Sequence, residues 1–305
     1  MTRLARWAWA VLGWNLVVIL WGAYVRATGS GAGCGAHWPL CDGQVVPRAP
    51  SAEQAIEYAH RVTSGLALLA VVAFLVAAFR SRPAGHPVRR TAVWALALIL
   101  VEAGLGAGLV LFELVADDAS TARAASMAAH LVNTFLLLGA LALNARAADD
   151  RPLPRLGERR TAALAWLACL ALLALAGASG AVAALGDTLF PSSSLAEALA
   201  ADLDPTSHLL VRLRVAHPTL AAVAAAAVLL LASSWALAES AGAGRGVWAR
   251  SAIAITLSQV AVGLANLALL APIPLQLVHL LGADLLWISL VLAGAERFAP
   301  APSGS

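Results

Sequence analysis

The sequence predicts an all-α membrane protein with eight transmembrane helices, arranged as two related four-helix bundles. Three observations carry that prediction. Of the 305 residues, 61% are hydrophobic and 12% charged, with a mean hydropathy of +0.81, whereas a soluble domain carries roughly a quarter charged residues. Eight apolar runs approach the ~20 residues that a helix needs to cross the hydrocarbon. The polar landmarks of the first half recur in the second.

The runs lie at about residues 7–26, 57–79, 91–112, 124–145, 161–186, 209–238, 247–271 and 275–297. The first follows Arg3 and Arg6 as a signal peptide would, but it is longer than a usual signal core and runs into VRATGSG, a poor cleavage site. It is therefore read as a helix. The second opens with EYAHRVTSGLALL, which puts Glu57, His60 and Arg61 at its mouth. The third carries Glu102 in VEAGLGAGL, and the fourth carries His130 in AAHLVNTFLLLG. Cys169 in the fifth reads as a packing residue. The sixth holds His217 in RVAHPTLAA, and the seventh holds Gln259 in SQVAVGLANL, in a place like that of Glu102. The small residues around Glu102 and Gln259 predict close helix packing. The eighth, LVHLLGADLLWISLVL, holds His279 and, on a different face, Asp284. The tail APAPSGS reads as disordered.

Arginine supplies all twenty basic residues. Fourteen fall on the side of the N-terminus, of the loops at about 80–90, 146–160 and 239–250 (Arg245 among them) and of the C-terminus, against six on the other side. By the positive-inside rule both termini are cytoplasmic, and the loops 27–56 and 187–208 face outward. Those two loops and the 113–123 loop hold most of the acids, including Asp117, Asp118, Asp187, Glu197, Asp202 and Asp204. The pI near 9.1 thus reflects topology, and nothing supports a nucleic-acid partner.

Aligning the second run with the sixth superimposes His60 on His217, an offset of 157, and aligning the fourth with the eighth superimposes His130 on His279, an offset of 149. WGAYVRATGSG and AGASGAVAALG match more weakly. The predicted domains are residues 1–150 and 151–305, one bundle each.

Ionisable groups inside a bilayer are costly and usually functional or paired. His60, His130, His217 and His279 all lie one or two turns from the outer start of their helices, at matched depth. A lone histidine could simply bond a neighbouring helix; four at one depth in a repeated pattern point to two pairs of imidazoles, each able to hold a haem iron from both sides. Arg26, Arg61, Arg212 and Arg214 stand at the same edge against the charge bias. They suit haem propionates through bidentate contacts, with interfacial snorkelling as the alternative. Trp38 and Tyr58 read equally well as interfacial aromatics.

Glu57 precedes His60 by one turn on the same face, so it either orients the imidazole, acts as a base, or merely favours the helix start. The second half has Arg214 there, which suggests one reactive haem site and one electron-transfer site. Cys34 and Cys41, in GSGAGCGAHWPLCDG, read first as a disulfide on the oxidising side. A redox-active pair, or a thiol site with His37 that handles electrons or a metal such as copper, stays open.

GAYVRATGSGAGCGAHWPLCDGQVVP, EYAHRVTSGLALL, AAHLVNTFLLLG, RVAHPTLAA and LVHLLGADLLWISLVL together resemble the haem A synthase family of bacteria and mitochondria, over nearly the whole chain. That resemblance implies a multi-pass enzyme of the bacterial cell membrane that oxidises the C8 methyl of haem O to a formyl group, by successive hydroxylation and loss of water, giving haem A for terminal oxidases. It implies haem b as cofactor on His217 and His279, haem O on His60 and His130, Glu57 as the essential acid, and Cys34 with Cys41 as a disulfide associated with turnover. Contact with haem O synthase and with cytochrome oxidase assembly factors follows, and a homo-oligomer is compatible with it. Two positions depart from the family pattern: Glu102 stands where a glutamine matching Gln259 is expected, and Gly-Ala-His precedes Trp38 where Pro and Asp are common. The alternatives are a non-catalytic di-haem b cytochrome that passes electrons between quinol and a partner, and a repeat-built transporter. Glu57 and the Cys loop, confined to the first half, argue against the cytochrome, and few helix breakers or charged pathway residues near the midplane favour the transporter.

Overall fold

The structure, a computed structural model, describes residues 1–239 and 246–300. Arg245 and residues 301–305 of the tail lie outside the described residues. In chain order the helices are α1 (Arg3–Ala27), α2 (Ala52–Ser81), α3 (Pro87–Leu111), α4 (Thr121–Ala148), α5 (Arg160–Leu189), the short α6 (Leu195–Leu203) and α7 (Leu209–Arg212), α8 (Ala216–Glu239), α9 (Val247–Ala268) and α10 (Ile273–Arg297). Eight spans are long and apolar enough to cross a membrane, with α7, a 3-10 turn over Leu213–Val215 and α8 forming one of them, Leu209–Ala238. No strand occurs among the described residues. The chain is a multi-pass membrane protein.

Several helices start before the apolar runs do, because polar caps satisfy the free amides of the first turn. Ser51 and Gln54 form a reciprocal capping box that starts α2 at Ala52. The register of Glu57 and His60 is therefore fixed from a polar anchor outside the apolar stretch. Thr2 and Ser120 cap α1 and α4 by accepting from the amides of Ala5 and Arg123. The sequence did not signal α6, nine residues inside the 187–208 loop, begun by Ser194. Hydrogen bonds from Ser193 hold the Glu197 carboxyl below its ordinary value, which keeps a negative charge at the α6 N-terminus, where the helix dipole favours it.

α1, α2, α3 and α4 pack in a ring, as do α5, α8, α9 and α10, and the two rings meet where α4 lies against α5 and α10. This seam is the main core. Phe135 of α4 stacks on Trp287 of α10 with centroids 4.8 Å apart, beside the fully buried Leu138 and Leu290. Trp166 of α5 donates to the Leu290 carbonyl at 3.0 Å and lies against Gly294 so closely that a Cβ there would stand 2.2 Å from the indole. Small residues at such crossings let bilayer helices approach. Gly294→Ala is expected to lower unfolding free energy in detergent by about 1–3 kcal/mol, the usual overpacking cost, because the hydrogen-bonded indole cannot rotate away. Denaturant titration followed by Trp fluorescence measures it.

Candidate functional site

Each of the four histidines rests on a glycine of a neighbouring helix. A Cβ at Gly22 of α1 would stand 2.9 Å from His60 Cε1, and one at Gly180 of α5 would stand 2.9 Å from His217 Cε1. At Gly106 of α3 and Gly263 of α9 the corresponding distances are 3.9 Å to His130 and 3.3 Å to His279. The glycine offsets stay close to that of His60 and His217: 106 and 263 are 157 apart, and 22 and 180 are 158 apart. The sequence comparison of VEAGLGAGL with SQVAVGLANL pairs Gly106 with Gly263 without singling them out, and that of WGAYVRATGSG with AGASGAVAALG sets Gly22 on Gly177 and so misses the seat at Gly180.

His217 and His279 face each other across the second ring, centroids 6.2 Å apart and planes at 84°. With a metal–nitrogen distance of about 2 Å, an iron between two imidazoles puts the ring centres roughly 6 Å apart, so the spacing fits. His217 Nδ1 lies 3.0 Å from the Ala176 carbonyl and 3.3 Å from Ser179 Oγ. Donation to that carbonyl leaves Nε2 free as the ligand atom. In the first ring His60 of α2 and His130 of α4 stand against Gly22 and Gly106. The buried Nδ1 atoms of His60, His130 and His279 have no hydrogen-bond partner. Unpartnered buried nitrogens are rare, and imidazoles with an unused ring edge are the donor set that haem iron takes. The residues present fit the group.

Glu57, 3% exposed, points at the Cys loop. Its Oε2 accepts from the Cys34 amide at 2.8 Å, and its Oε1 accepts from the Arg61 guanidinium. Arg61 also donates to the His37 and Leu40 carbonyls, so one acid–guanidinium pair ties both ends of the loop to α2. Cys34 and Cys41 are joined in a disulfide and both are buried. Gly33 is required here, since a Cβ would stand 2.6 Å from the backbone of Glu53, and Gly35 adopts a φ of +62°. Among the described residues no cluster of three or more His, Cys, Asp or Glu side chains could hold a bare metal ion.

Arg214, which aligns with Glu57, has the opposite charge and a similar task. It donates to Asp202 at 2.8 Å and to Asp187 at 3.1 Å, tying the α6 loop to the second ring. Arg26 crosses between the rings, donating to the Ala184 carbonyl and Thr188 of α5 and to Gln276 of α10. Of the four arginines proposed for propionates, three are thus engaged with protein groups. The Arg212 side chain is exposed. Asp284 is completely buried in the seam, with neither carboxyl oxygen bonded.

Residues 5–291 match the family COX15-CtaA, cytochrome oxidase assembly protein. The chain is 48% identical over 290 residues to a protein of Thermus thermophilus named protoheme IX farnesyltransferase, covering 95% of this chain and 48% of that protein. It is 42% identical over 97 residues to a haem A synthase of Alkalihalophilus pseudofirmus, 32% of this chain and 33% of that protein. With a haem A synthase of Halalkalibacterium halodurans it shares 37% over 139 residues, 46% of this chain and 45% of that protein. The chain thus spans about half the length, or less, of the curated relatives it matches.

Proposed function

The chain belongs to the COX15-CtaA family of cytochrome oxidase assembly proteins, and on that ground we propose that it oxidises the C8 methyl of haem O to a formyl group, by successive hydroxylation and loss of water, giving haem A. His60 and His130 would hold the substrate in the first bundle, residues 1–150, and His217 and His279 would hold haem b in the second, residues 151–305. One observation carries the reading. Both rings present two half-buried imidazoles on glycine seats and a guanidinium–carboxylate contact near the same edge, yet among the described residues only the first ties that contact to a loop closed by a disulfide.

When bound, haem supplies the redox chemistry. The chain supplies the rest. The glycine seats let the helices close on the ring faces, and the apolar helices keep water away. With His217 Nδ1 bonded to the Ala176 carbonyl, Nε2 would be the atom left to hold iron. Glu57 lies one turn before His60 on the same helix, and its carboxylate could take a proton from the bound substrate at an oxygen released from its hydrogen bond with the Cys34 amide or Arg61. Arg212 is the arginine left to meet a propionate, and Arg26, Arg61 and Arg214 would do so only by exchanging present partners.

Fourteen arginines against six support cytoplasmic termini, with the Cys loop facing the oxidising side of a bacterial cell membrane, where a disulfide persists. The name of the Thermus relative denotes farnesyl transfer to protohaem. That name supports a partner of the same class, an enzyme that farnesylates haem and hands over the product.

Extraction of pigment from the purified protein tests the reading: haem B together with haem O or haem A is expected. Haem B alone, two per chain, overturns it in favour of a di-haem cytochrome.

A further inference from the structure

Beside His130 the first ring carries a half-buried acid that the reaction as described does not use. Glu102 of α3 aligns with Gln259 of α9, again 157 residues apart, but the surroundings of the two differ. Glu102 accepts from Asn133 Nδ2 at 2.5 Å and from the Thr134 hydroxyl, and its Oε1 lies 3.5 Å from His130 Nδ1. At that distance the bond is not fully formed, and His130 Nδ1, wholly buried, has no other partner. Gln259 instead donates to the His279 carbonyl at 2.8 Å, and its Oε1 fills the space that a Cβ at Gly282 would need. His279 Nδ1 remains without a partner.

The difference is coordinated over three positions. Three and four residues after His130 stand Asn133 and Thr134, whose polar groups both bond the acid; three and four after His279 stand Gly282 and Ala283, which bond nothing and make room. A carboxylate buried in a bilayer persists only when its lone pairs are satisfied, and here two donors on the histidine's own helix satisfy it and aim it at the ring.

We propose that Glu102 is the positioning residue of His130: its carboxylate accepts the Nδ1 proton in a hydrogen bond, commits Nε2 to the iron of the first ring, and gives that imidazole a basicity which its counterpart beside Gln259 lacks. The proposal rests on the reading that His60 and His130 hold haem. A carboxylate behind a ligating imidazole raises ligand basicity and fixes ring orientation, and its negative charge stabilises ferric over ferrous iron. The two haems therefore differ in potential, the first-ring iron being the easier to keep oxidised.

The test is Glu102→Gln, which keeps an acceptor for Asn133 and can donate to Thr134, and which removes the charge together with the acceptor that faces His130 Nδ1. The purified protein, with haem O added to fill the first ring, is titrated by spectroelectrochemistry and examined by electron paramagnetic resonance. The midpoint potential of the first-ring haem is expected to rise and its g-values to shift, haem affinity there is expected to fall by about 10–100-fold, and the second-ring haem is expected to stay unchanged, which reports intact folding in the same sample. Glu102→Asp, too short to reach the ring but still charged, is expected to lose haem affinity as the glutamine variant does while shifting the potential less. A haem that depends on His130 but whose potential and affinity ignore Glu102→Gln overturns this proposal alone. A wild-type spectrum that ignores His130→Ala overturns the first-ring site and the proposal with it.

Discussion

Replacing His217 with alanine is expected to remove the haem b spectrum and leave the first ring able to bind added haem O, while His60→Ala is expected to abolish haem A formation and spare the haem b spectrum. The expected loss of affinity at the altered site exceeds the roughly 10–100-fold typical of losing an outer-shell partner, because here a ligand itself is removed. The folding costs of the two differ. His60 Nδ1 has no partner, so truncation breaks no hydrogen bond and leaves a space beside Gly22. His217 Nδ1 bonds the Ala176 carbonyl, so its truncation also orphans a buried acceptor, at a cost of about 1–3 kcal/mol. His217→Gln, which can still donate to that carbonyl, separates the two effects. Reduced-minus-oxidised spectra of the purified variants and pigment analysis of their products make the measurement. Identical spectra and products for the two alanine variants overturn the division of labour between the rings.

The eight spans were legible because length and apolarity decide them, and no register between helices is needed to read either quantity. Their starts were less legible. Ser51 and Gln54 hold the first turn of α2 outside the apolar run, and a hydropathy reading does not count such polar caps. α6 was missed because nine residues in an acidic loop leave little pattern to read. The histidines stood out since a bilayer interior makes every ionisable residue conspicuous. What surrounds them did not, because it depends on which helix lies next to which. Arg26 belongs by sequence to the first half and spends its donors on Thr188 and Gln276 in the second. The Glu57 carboxylate faces the Cys34 amide, a contact between a loop and a helix 23 residues apart, and no helical periodicity predicts it. Offsets near 157 recur for His60, Gly22, Glu102 and Gly106, so the repeat held more of the site than the histidines alone disclosed.

Glu57→Gln is expected to reduce haem A formation by 10²–10⁴-fold, on the order of losing a positioned general base, with haem b in the second ring retained. The geometry gives the same residue a second consequence. A glutamine oxygen still accepts from the Cys34 amide but no longer neutralises Arg61, whose guanidinium also carries the His37 and Leu40 carbonyls. That pair is buried, and removing one partner of a buried pair costs more than the pair contributes, since the remaining charge is left alone. The loop is therefore expected to loosen, and the Cys34–Cys41 disulfide to react faster with an added thiol. The two consequences separate by comparison with Cys34→Ser. If Glu57 acts only as the tether of the loop, Glu57→Gln and Cys34→Ser lower turnover alike, and the double variant is no worse than either. If Glu57 also moves a proton, Glu57→Gln falls well below Cys34→Ser, and the double variant follows the Glu57 change. Full turnover in Glu57→Gln together with an unchanged rate of disulfide reduction overturns both roles and leaves Glu57 an acid at the start of a helix.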